Sequence, residues 1–227
     1  MPELLDLTKS KYSRIFVTGR ILGDLQRFMR FLYEQQFMYK DALVLCGDII
    51  DISYPDDSIS IMEFAKINEN VFTVRGDQEN KYLSYTNDEL LRSNVHYELL
   101  DKVEHTYRDY LAEMPYIAKV LDDTYVVHAG VNPIEGIHTK DEDTFFQIGD
   151  YNENSRFYQF NNPEKKNWYD FKIFEGENQV KMIFSATSTP TIEVPAGYSL
   201  YRADKTHENL KCMILEKESN PIILEVR

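Results

Sequence analysis

Apolar residues in the first third of the chain alternate between short continuous runs and runs with helical spacing. The continuous runs Arg14–Thr18, Ala42–Cys46 and Val71–Val74 predict buried strands, and each is followed by a glycine within two residues. Between them, apolar positions three and four residues apart predict helices over Asp24–Phe37 and Ser58–Ile67. Strands that alternate with helices are typical of a mostly parallel sheet with crossover connections.

The second half of the chain has mainly short strand-like runs. A helix is predicted over Glu98–Glu113 and ends before Pro115. The strands predicted after it are Tyr116–Leu121, Thr124–His128, Val180–Phe184, Ser199–Arg202, Leu210–Glu216 and Ile222–Val226. Ile134–Gln179 is polar, aromatic and irregular, so we expect a long excursion over one face with short helices.

Length and composition favour one soluble domain. A chain of 227 residues with 43% hydrophobic residues can bury a sizeable core, so we predict a single domain over residues 1–227. No apolar run approaches the roughly 20 residues that a membrane helix needs, and the N-terminus lacks the features of a secretory signal. We therefore expect a cytoplasmic protein with no membrane association.

Charge and cysteine content exclude two further classes. The formal net charge of −13 repels polyphosphate, so a nucleic-acid partner is not expected. Cys46 and Cys212 lie in strand-like apolar runs, where a free cysteine behaves as a small buried hydrophobe. Neither a disulfide nor a cysteine metal site is predicted.

Five short polar segments follow predicted strands, at the edge of the sheet where α/β proteins bind their ligands. They are Gly19-Arg20-Ile21-Leu22-Gly23, Gly47-Asp48-Ile49-Ile50-Asp51, Arg75-Gly76-Asp77-Gln78-Glu79, His128-Ala129-Gly130 and Ser185-Ala186-Thr187. Their order and spacing resemble the calcineurin-like metallophosphoesterases, most closely the bacterial and phage serine/threonine phosphoprotein phosphatases. The resemblance runs from Ile15 to about Leu215. It implies a four-layer αββα sandwich of two mixed β-sheets flanked by helices.

The resemblance also implies which positions carry chemistry, and most of them are changed here. Family members have Gly-Asp-x-His-Gly, Gly-Asp-x-x-Asp-Arg-Gly, Arg-Gly-Asn-His-Glu, His-Ala-Gly and Gly-His-Thr-Pro in these segments. The replaced positions are Arg20 and Leu22 for two metal ligands, Asp77 for a metal-binding Asn, Gln78 for the catalytic His, Ile52 for a phosphate-holding Arg and Ala186 for a ligand His. Asp48 and His128 are the only metal ligands that the resemblance implies are kept unchanged. No catalytic set is therefore intact.

The donors that remain leave two interpretations of the site open. Asp48, Asp77 and His128 form a set of donors for a single Mn²⁺, Mg²⁺ or Zn²⁺ ion, although no cofactor is expected. Alternatively, Arg20 supplies a cation that pairs with the two carboxylates in place of an ion. Arg20 and Arg75 are both candidates for pairing with carboxylates or anions. Arg75, Asp51 and Glu79 are also expected to hold turns through hydrogen bonds.

The sequence therefore predicts a pseudophosphatase that binds a protein partner or a phosphorylated ligand. The alternative is a weak phosphoesterase with one metal ion at Asp48, Asp77 and His128, and a third hypothesis is a purely structural subunit. A protein partner is favoured, because phosphate-holding arginines are missing. The aromatic residues that are dense between Tyr151 and Phe174 are candidates for a partner-binding surface, but packing is the more common role of such residues. The oligomeric state is not predicted.

Overall fold

A computed structural model describes residues 4–87, 101, 103–132, 135–139, 144–147, 168–185, 193–202, 208–217 and 219–227. In chain order its strands are β1 (Leu5–Asp6), β2 (Ile15–Thr18), β3 (Ala42–Leu45), β4 (Val71–Thr73), β5 (Ile117–Leu121), β6 (Thr124–Val127), β7 (Ile173–Glu175), β8 (Asn178–Phe184), β9 (Glu193–Val194), β10 (Gly197–Ser199), β11 (Leu210–Leu215) and β12 (Ile222–Val226). Its α-helices are α1 (Leu25–Glu34), α2 (Pro55–Ile67), α3 (Asp77–Asn87), α4 (Arg108–Glu113) and α5 (Thr144–Gln147).

The described strands form two mixed sheets. In the first sheet the order is β12-β11-β2-β3-β4, where β2, β3 and β4 are parallel and β11 and β12 are antiparallel to their neighbours. In the second sheet the order is β1-β5-β6-β8-β10-β9, and β7 pairs with the N-terminal part of β8. The parallel strands bring the segments that follow β2, β3 and β4 to one edge of the first sheet.

Three groups of buried side chains define the layers. Phe16, Phe28 and Leu43 belong to a core between the first sheet and its helices. Val17, Val44, Val126, Ile183 and Met213 belong to a core that joins the two sheets. A third core, which includes Trp168 and Phe145, covers the outer side of the second sheet. The predicted sandwich of two mixed sheets with helices is confirmed.

Most predicted strands agree with the structure to within one or two residues. The exceptions are the short strands β1 and β9, which were not predicted, and the strand predicted at Ser199–Arg202, which is Gly197–Ser199. Three further regions differ. The end of the predicted excursion is regular, because β7 and β8 form a hairpin around Gly176. The predicted helix over Glu98–Glu113 is a π-helical turn at Val103–Tyr107 that continues into α4, and residues 98–100 lie outside the described part. Helix α3 was not predicted, since few of its residues are apolar.

Candidate functional site

The first two turns are joined by backbone hydrogen bonds. The N–H groups of Leu22 and Gly23 donate to the carbonyl oxygens of Asp48 and Ile49 at 2.9 and 3.1 Å. Leu22 and Asp48 both have positive φ, 55° and 52°. This region is uncommon for any residue other than glycine, and a bulky side chain is especially rare there. Leu22 is nevertheless buried in this conformation, so the backbone at this position is strained.

Glu79 holds the second turn from inside the protein. Its carboxylate accepts hydrogen bonds from the backbone N–H groups of Asp48, Ile49, Ile50 and Gly76, at 2.8 to 3.2 Å. Burial and the nearby charge of Asp48 raise the pKa of Glu79 to about 7. The prediction that Glu79 holds a turn is confirmed by these contacts.

Asp48 has partners for both of its carboxylate oxygens. Oδ2 accepts from Nε of Arg20 at 2.7 Å, and Oδ1 accepts from the backbone N–H of Gln78 at 3.1 Å. Gln78 lies in the first turn of α3, where the helix dipole also favours a negative charge. The side chain is fully buried, and this burial raises the pKa of Asp48 although His128 and Arg20 oppose the rise.

His128 is oriented by the backbone of the first sheet. Its Nδ1 lies 2.6 Å from the carbonyl oxygen of Cys46, which can only accept, so Nδ1 carries a proton. Nε2 then faces Asp77 Oδ1 at 2.9 Å and Asp48 Oδ1 at 3.5 Å. Burial would lower the pKa of His128, but the charge of Asp48 and the hydrogen bond with Asp77 raise it to about 9.

Asp77 and Gln78 form the outer part of the cluster. The Gln78 amide donates to Asp77 Oδ2 at 2.9 Å. The Asp77 side chain is 40% exposed, compared with none of Asp48 and His128. Burial would raise the pKa of Asp77, but the hydrogen bond with His128 and the charge of His128 lower it to about 2. Asp77 is therefore ionised and reachable from solvent.

The two candidate arginines occupy different environments. Arg20 is 18% exposed, pairs with Asp48 and has its guanidinium carbon 6.0 Å from the ring centroid of Tyr201. Arg75 is buried, donates to the hydroxyl of Tyr116 at 3.1 Å and to the carbonyl of Ala112, and lies over the Tyr116 ring. Arg75 therefore has the contacts of a scaffold residue, whereas Arg20 pairs with the carboxylate of Asp48.

Two contributors to the site were assigned no role from the sequence. Ser185, which belongs to the fifth segment, donates its Oγ hydrogen bond to the same Cys46 carbonyl as His128, at 3.1 Å. Arg202 is fully buried and donates to Asp24 Oδ2 at 2.6 Å and to the carbonyl of Ile21 at 3.4 Å, which fixes the first turn. A lone arginine at the end of an apolar strand was the available signal for the second. Ala186, a predicted site position, lies outside the described residues.

Residues 14–216 match the family described as calcineurin-like phosphoesterase. The chain belongs to the calcineurin-like phosphoesterase family. No curated protein matches its sequence. Across the part of the chain that the structure describes, no helix has both the length and the apolar character that a membrane span requires.

Solved structures share the fold of this calcineurin-like phosphoesterase at low sequence identity. A proposed diadenosine tetraphosphatase is similar over 100% of this chain and 99% of its own, with 15% identity and a TM-score of 0.71. A serine/threonine phosphatase from Saccharomyces cerevisiae is similar over 100% of this chain and 84% of its own, with 14% identity and a TM-score of 0.59. A metallophosphoesterase from Sphaerobacter thermophilus covers 95% and 89%, with 13% identity and a TM-score of 0.55. Such identities establish the fold alone.

Membership in the phosphoesterase family implies the use of divalent metal ions, so the donor set is tested against that use. Ligand atoms of Asp48, Asp77 and His128 all lie within 4.8 Å of one another, which suits a single ion. The resemblance implies that a second ion of the pair would take ligands from positions 20 and 22. These positions have Arg20, a cation bonded to Asp48, and Leu22, which is buried. These residues fit one ion but do not fit a pair.

Proposed function

We propose that this chain is a pseudophosphatase, which binds a protein partner or a phosphorylated ligand without hydrolysing a phosphoester efficiently. The observation that carries the proposal is the hydrogen bond between Gln78 and Asp77, at 2.9 Å. By the family resemblance, Gln78 stands where a histidine gives a proton to the leaving group. A carboxamide has no proton that it can transfer at neutral pH, and this one is already bonded to a neighbouring carboxylate.

The expected loss of rate is large. General acid catalysis contributes roughly 10²–10⁴ to the rate of an enzyme. In a two-metal site, the paired ions stabilise both the attacking and the leaving oxygen, so the absence of the second ion removes several kcal/mol more. Arg20 and Leu22 remove the ligands of that ion, and Gln78 removes the acid. Efficient turnover would require other groups to supply both the second ion's charge and the acid's proton.

Charge favours a protein partner over a phosphorylated ligand. Arg75 is directed toward Tyr116 and Ala112, and Ile52 replaces the arginine with which the family holds phosphate. The net charge of −13 also opposes the approach of a phosphorylated molecule. Large apolar side chains are exposed elsewhere on the described surface, among them Tyr33 at 84% and Tyr39 at 86%. Tyrosine is enriched in protein interfaces.

The proposal is tested by assay of p-nitrophenyl phosphate and a phosphoserine peptide with Mn²⁺, Mg²⁺ and Zn²⁺. We expect any turnover of these substrates to be equal in the wild type and in His128→Ala. Calorimetric titration with the phosphoserine peptide and its unphosphorylated form then separates the two kinds of ligand. Metal-dependent turnover that His128→Ala abolishes would overturn the proposal.

A second candidate function is a phosphoesterase with one metal ion. The convergence of Asp48, Asp77 and His128, with Nε2 of His128 directed at both carboxylates, favours it. Asp77 is the most exposed of the three, so an ion held there would be open to a substrate. Turnover that requires Mn²⁺ and disappears in both Asp77→Ala and His128→Ala would select this function.

A further inference from the structure

We propose that the guanidinium of Arg20 is the permanent cation of this site, and that a divalent ion competes with Arg20 for Asp48. This inference rests on the proposed function in one respect, because both hold that the site does not bind a pair of metal ions. It concerns metal affinity and stability, which are measured separately from turnover.

The contacts of Asp48 are the first evidence that Arg20 and an ion compete for it. Its two oxygens accept from Arg20 Nε and from the Gln78 backbone, so this carboxylate is satisfied by groups of the chain itself. A buried carboxylate without a partner is costly. An ion held between Asp48 Oδ1, Asp77 and His128 would share the Asp48 carboxylate with the guanidinium that is bonded to Oδ2 at 2.7 Å, so the two cations would compete for one negative charge.

The surroundings of Arg20 carry the second step. The side chain starts from a turn that packs against Leu200, so closely that a Cβ added at Gly19 would collide with the Leu200 carbonyl. The Gly19 N–H also bonds to the carbonyl of Lys211 at 2.9 Å. With only 18% of its side chain exposed and the Tyr201 ring 6.0 Å away, the guanidinium is enclosed rather than free on the surface.

Charge carries the third step. Two carboxylates, Asp48 and Asp77, lie within a few ångströms of each other, and such a pair needs compensating positive charge. His128 Nε2 faces both carboxylates, and Arg20 adds a second positive group at Asp48. Arginine keeps its charge at every physiological pH, so Arg20 provides this compensation at all times. A divalent ion beside the guanidinium would be repelled by it. Arg20 and an ion at Asp48 therefore oppose each other's binding.

Three variants test the competition. Arg20→Met removes the charge and keeps a long side chain. Arg20→Lys keeps the charge but lacks the planar guanidinium. Arg30→Met is a matched control. Arg30 is exposed on α1 and donates to the carbonyl of Arg227, away from the cluster. Mn²⁺ affinity is measured by calorimetry, and melting temperature is measured with EDTA and with Mn²⁺.

We expect Arg20→Met to bind Mn²⁺ about 10- to 100-fold more tightly than the wild type, the range over which groups bonded to metal ligands change affinity. In EDTA its melting temperature should fall by about 10 °C, and Mn²⁺ should restore most of the loss. Arg20→Lys should lie between the wild type and Arg20→Met in both measurements. Arg30→Met should match the wild type.

Two outcomes overturn the inference. If Arg20→Met binds Mn²⁺ no more tightly than the wild type, Arg20 does not compete with the ion. If Arg20→Met is destabilised or unfolded equally with EDTA and with Mn²⁺, Arg20 has a structural role only. Neither result depends on hydrolysis, whereas metal-dependent turnover by the wild type would overturn the proposed function and leave the measured competition unchanged.

Discussion

The imidazole Nδ1 of His128 lies 2.6 Å from the carbonyl oxygen of Cys46. Cys46 directly follows β3 in the first sheet, and His128 directly follows β6 in the second. The bond therefore crosses between the sheets, and it fixes the orientation of the ring in which Nε2 faces the carboxylates.

Gly47 is required for this approach. A Cβ at Gly47 would lie 2.8 Å from Nδ1 of His128 and 2.7 Å from the backbone of Gly76, and the residue has a φ of 75°. Gly47→Ala should therefore lower the free energy of unfolding by about 3 kcal/mol or more, through both strain and collision. Urea unfolding measures the change.

Gly176→Ala is the matched control for this variant. Gly176 also has positive φ, 61°, but no atom lies within 4 Å of the position of its added Cβ. The control should lose only about 1 kcal/mol, from backbone strain. Equal losses at the two positions would show that the contact with His128 contributes nothing.

The first turn should depend on the buried ion pair of Arg202 and Asp24. Arg202→Met leaves Asp24 with Arg27 as its remaining salt-bridge partner among the described contacts, so we expect a loss of about 3 kcal/mol at pH 7, the lower end for a broken buried pair. The measurement is urea unfolding at pH 7. A loss below about 1 kcal/mol would contradict the prediction, since it is the size expected of an exposed pair.

The same ion pair predicts a pH dependence. Burial would raise the pKa of Asp24, but hydrogen bonds from Arg202 and Arg27 lower it below the usual value of 3.8. A lowered carboxyl pKa adds stability that is fully present well above 3.8 and is lost as the pH falls through the folded value. The wild type should lose more stability than Arg202→Met between pH 5 and pH 3. Parallel curves for the two proteins would contradict this assignment.

The ligands of the first turn can be restored. In Arg20→Asp with Leu22→His, a carboxylate and an imidazole replace the cation and the buried leucine, and histidine tolerates the positive φ at position 22 better than leucine does. We expect this double variant to hold more metal per chain than the wild type, as measured by elemental analysis after dialysis against Mn²⁺. Arg20→Asp with Leu22→Asn relieves the same strain with a weaker ligand, and should hold less.

Glu79 should be intolerant of even a conservative change. Its two oxygens accept four backbone N–H groups, and an amide would present an NH₂ group to some of these donors. Glu79→Gln is expected to cost about 2–3 kcal/mol, since buried donors lose their acceptor. Thermal unfolding of Glu79→Gln beside Glu69→Gln, an exposed position at the end of α2, measures it. A cost similar to that of the control would be inconsistent with the role of Glu79.

The sequence predicted the parts of the fold that depend on local pattern. Buried strands such as β2 and β3 follow from continuous apolar runs, and the resemblance to the family brought Asp48, Asp77 and His128 to one edge before the structure was known. Helix α3 was not predicted from the sequence, because it has polar residues where a core-facing helix usually has apolar ones.

Other features depend on contacts between distant residues. Arg202 pairs with Asp24 across 178 positions of sequence, and no local pattern in either segment signals the pair. The positive φ of Leu22 is imposed by hydrogen bonds to the second turn, against the preference of leucine itself. The pairing of Arg20 with Asp48 was predictable only because the family resemblance placed both residues at the same former ion site.

The bond between Arg20 and Asp48 also changes how this site depends on its surroundings. A bound ion is in equilibrium with the concentration of that ion outside the protein, whereas a side chain stays attached by covalent bonds. Because Arg20 is bonded to Asp48 directly, the contact that holds this carboxylate does not require a bound ion. A surface built around the second turn would then keep its form when metal ions are scarce.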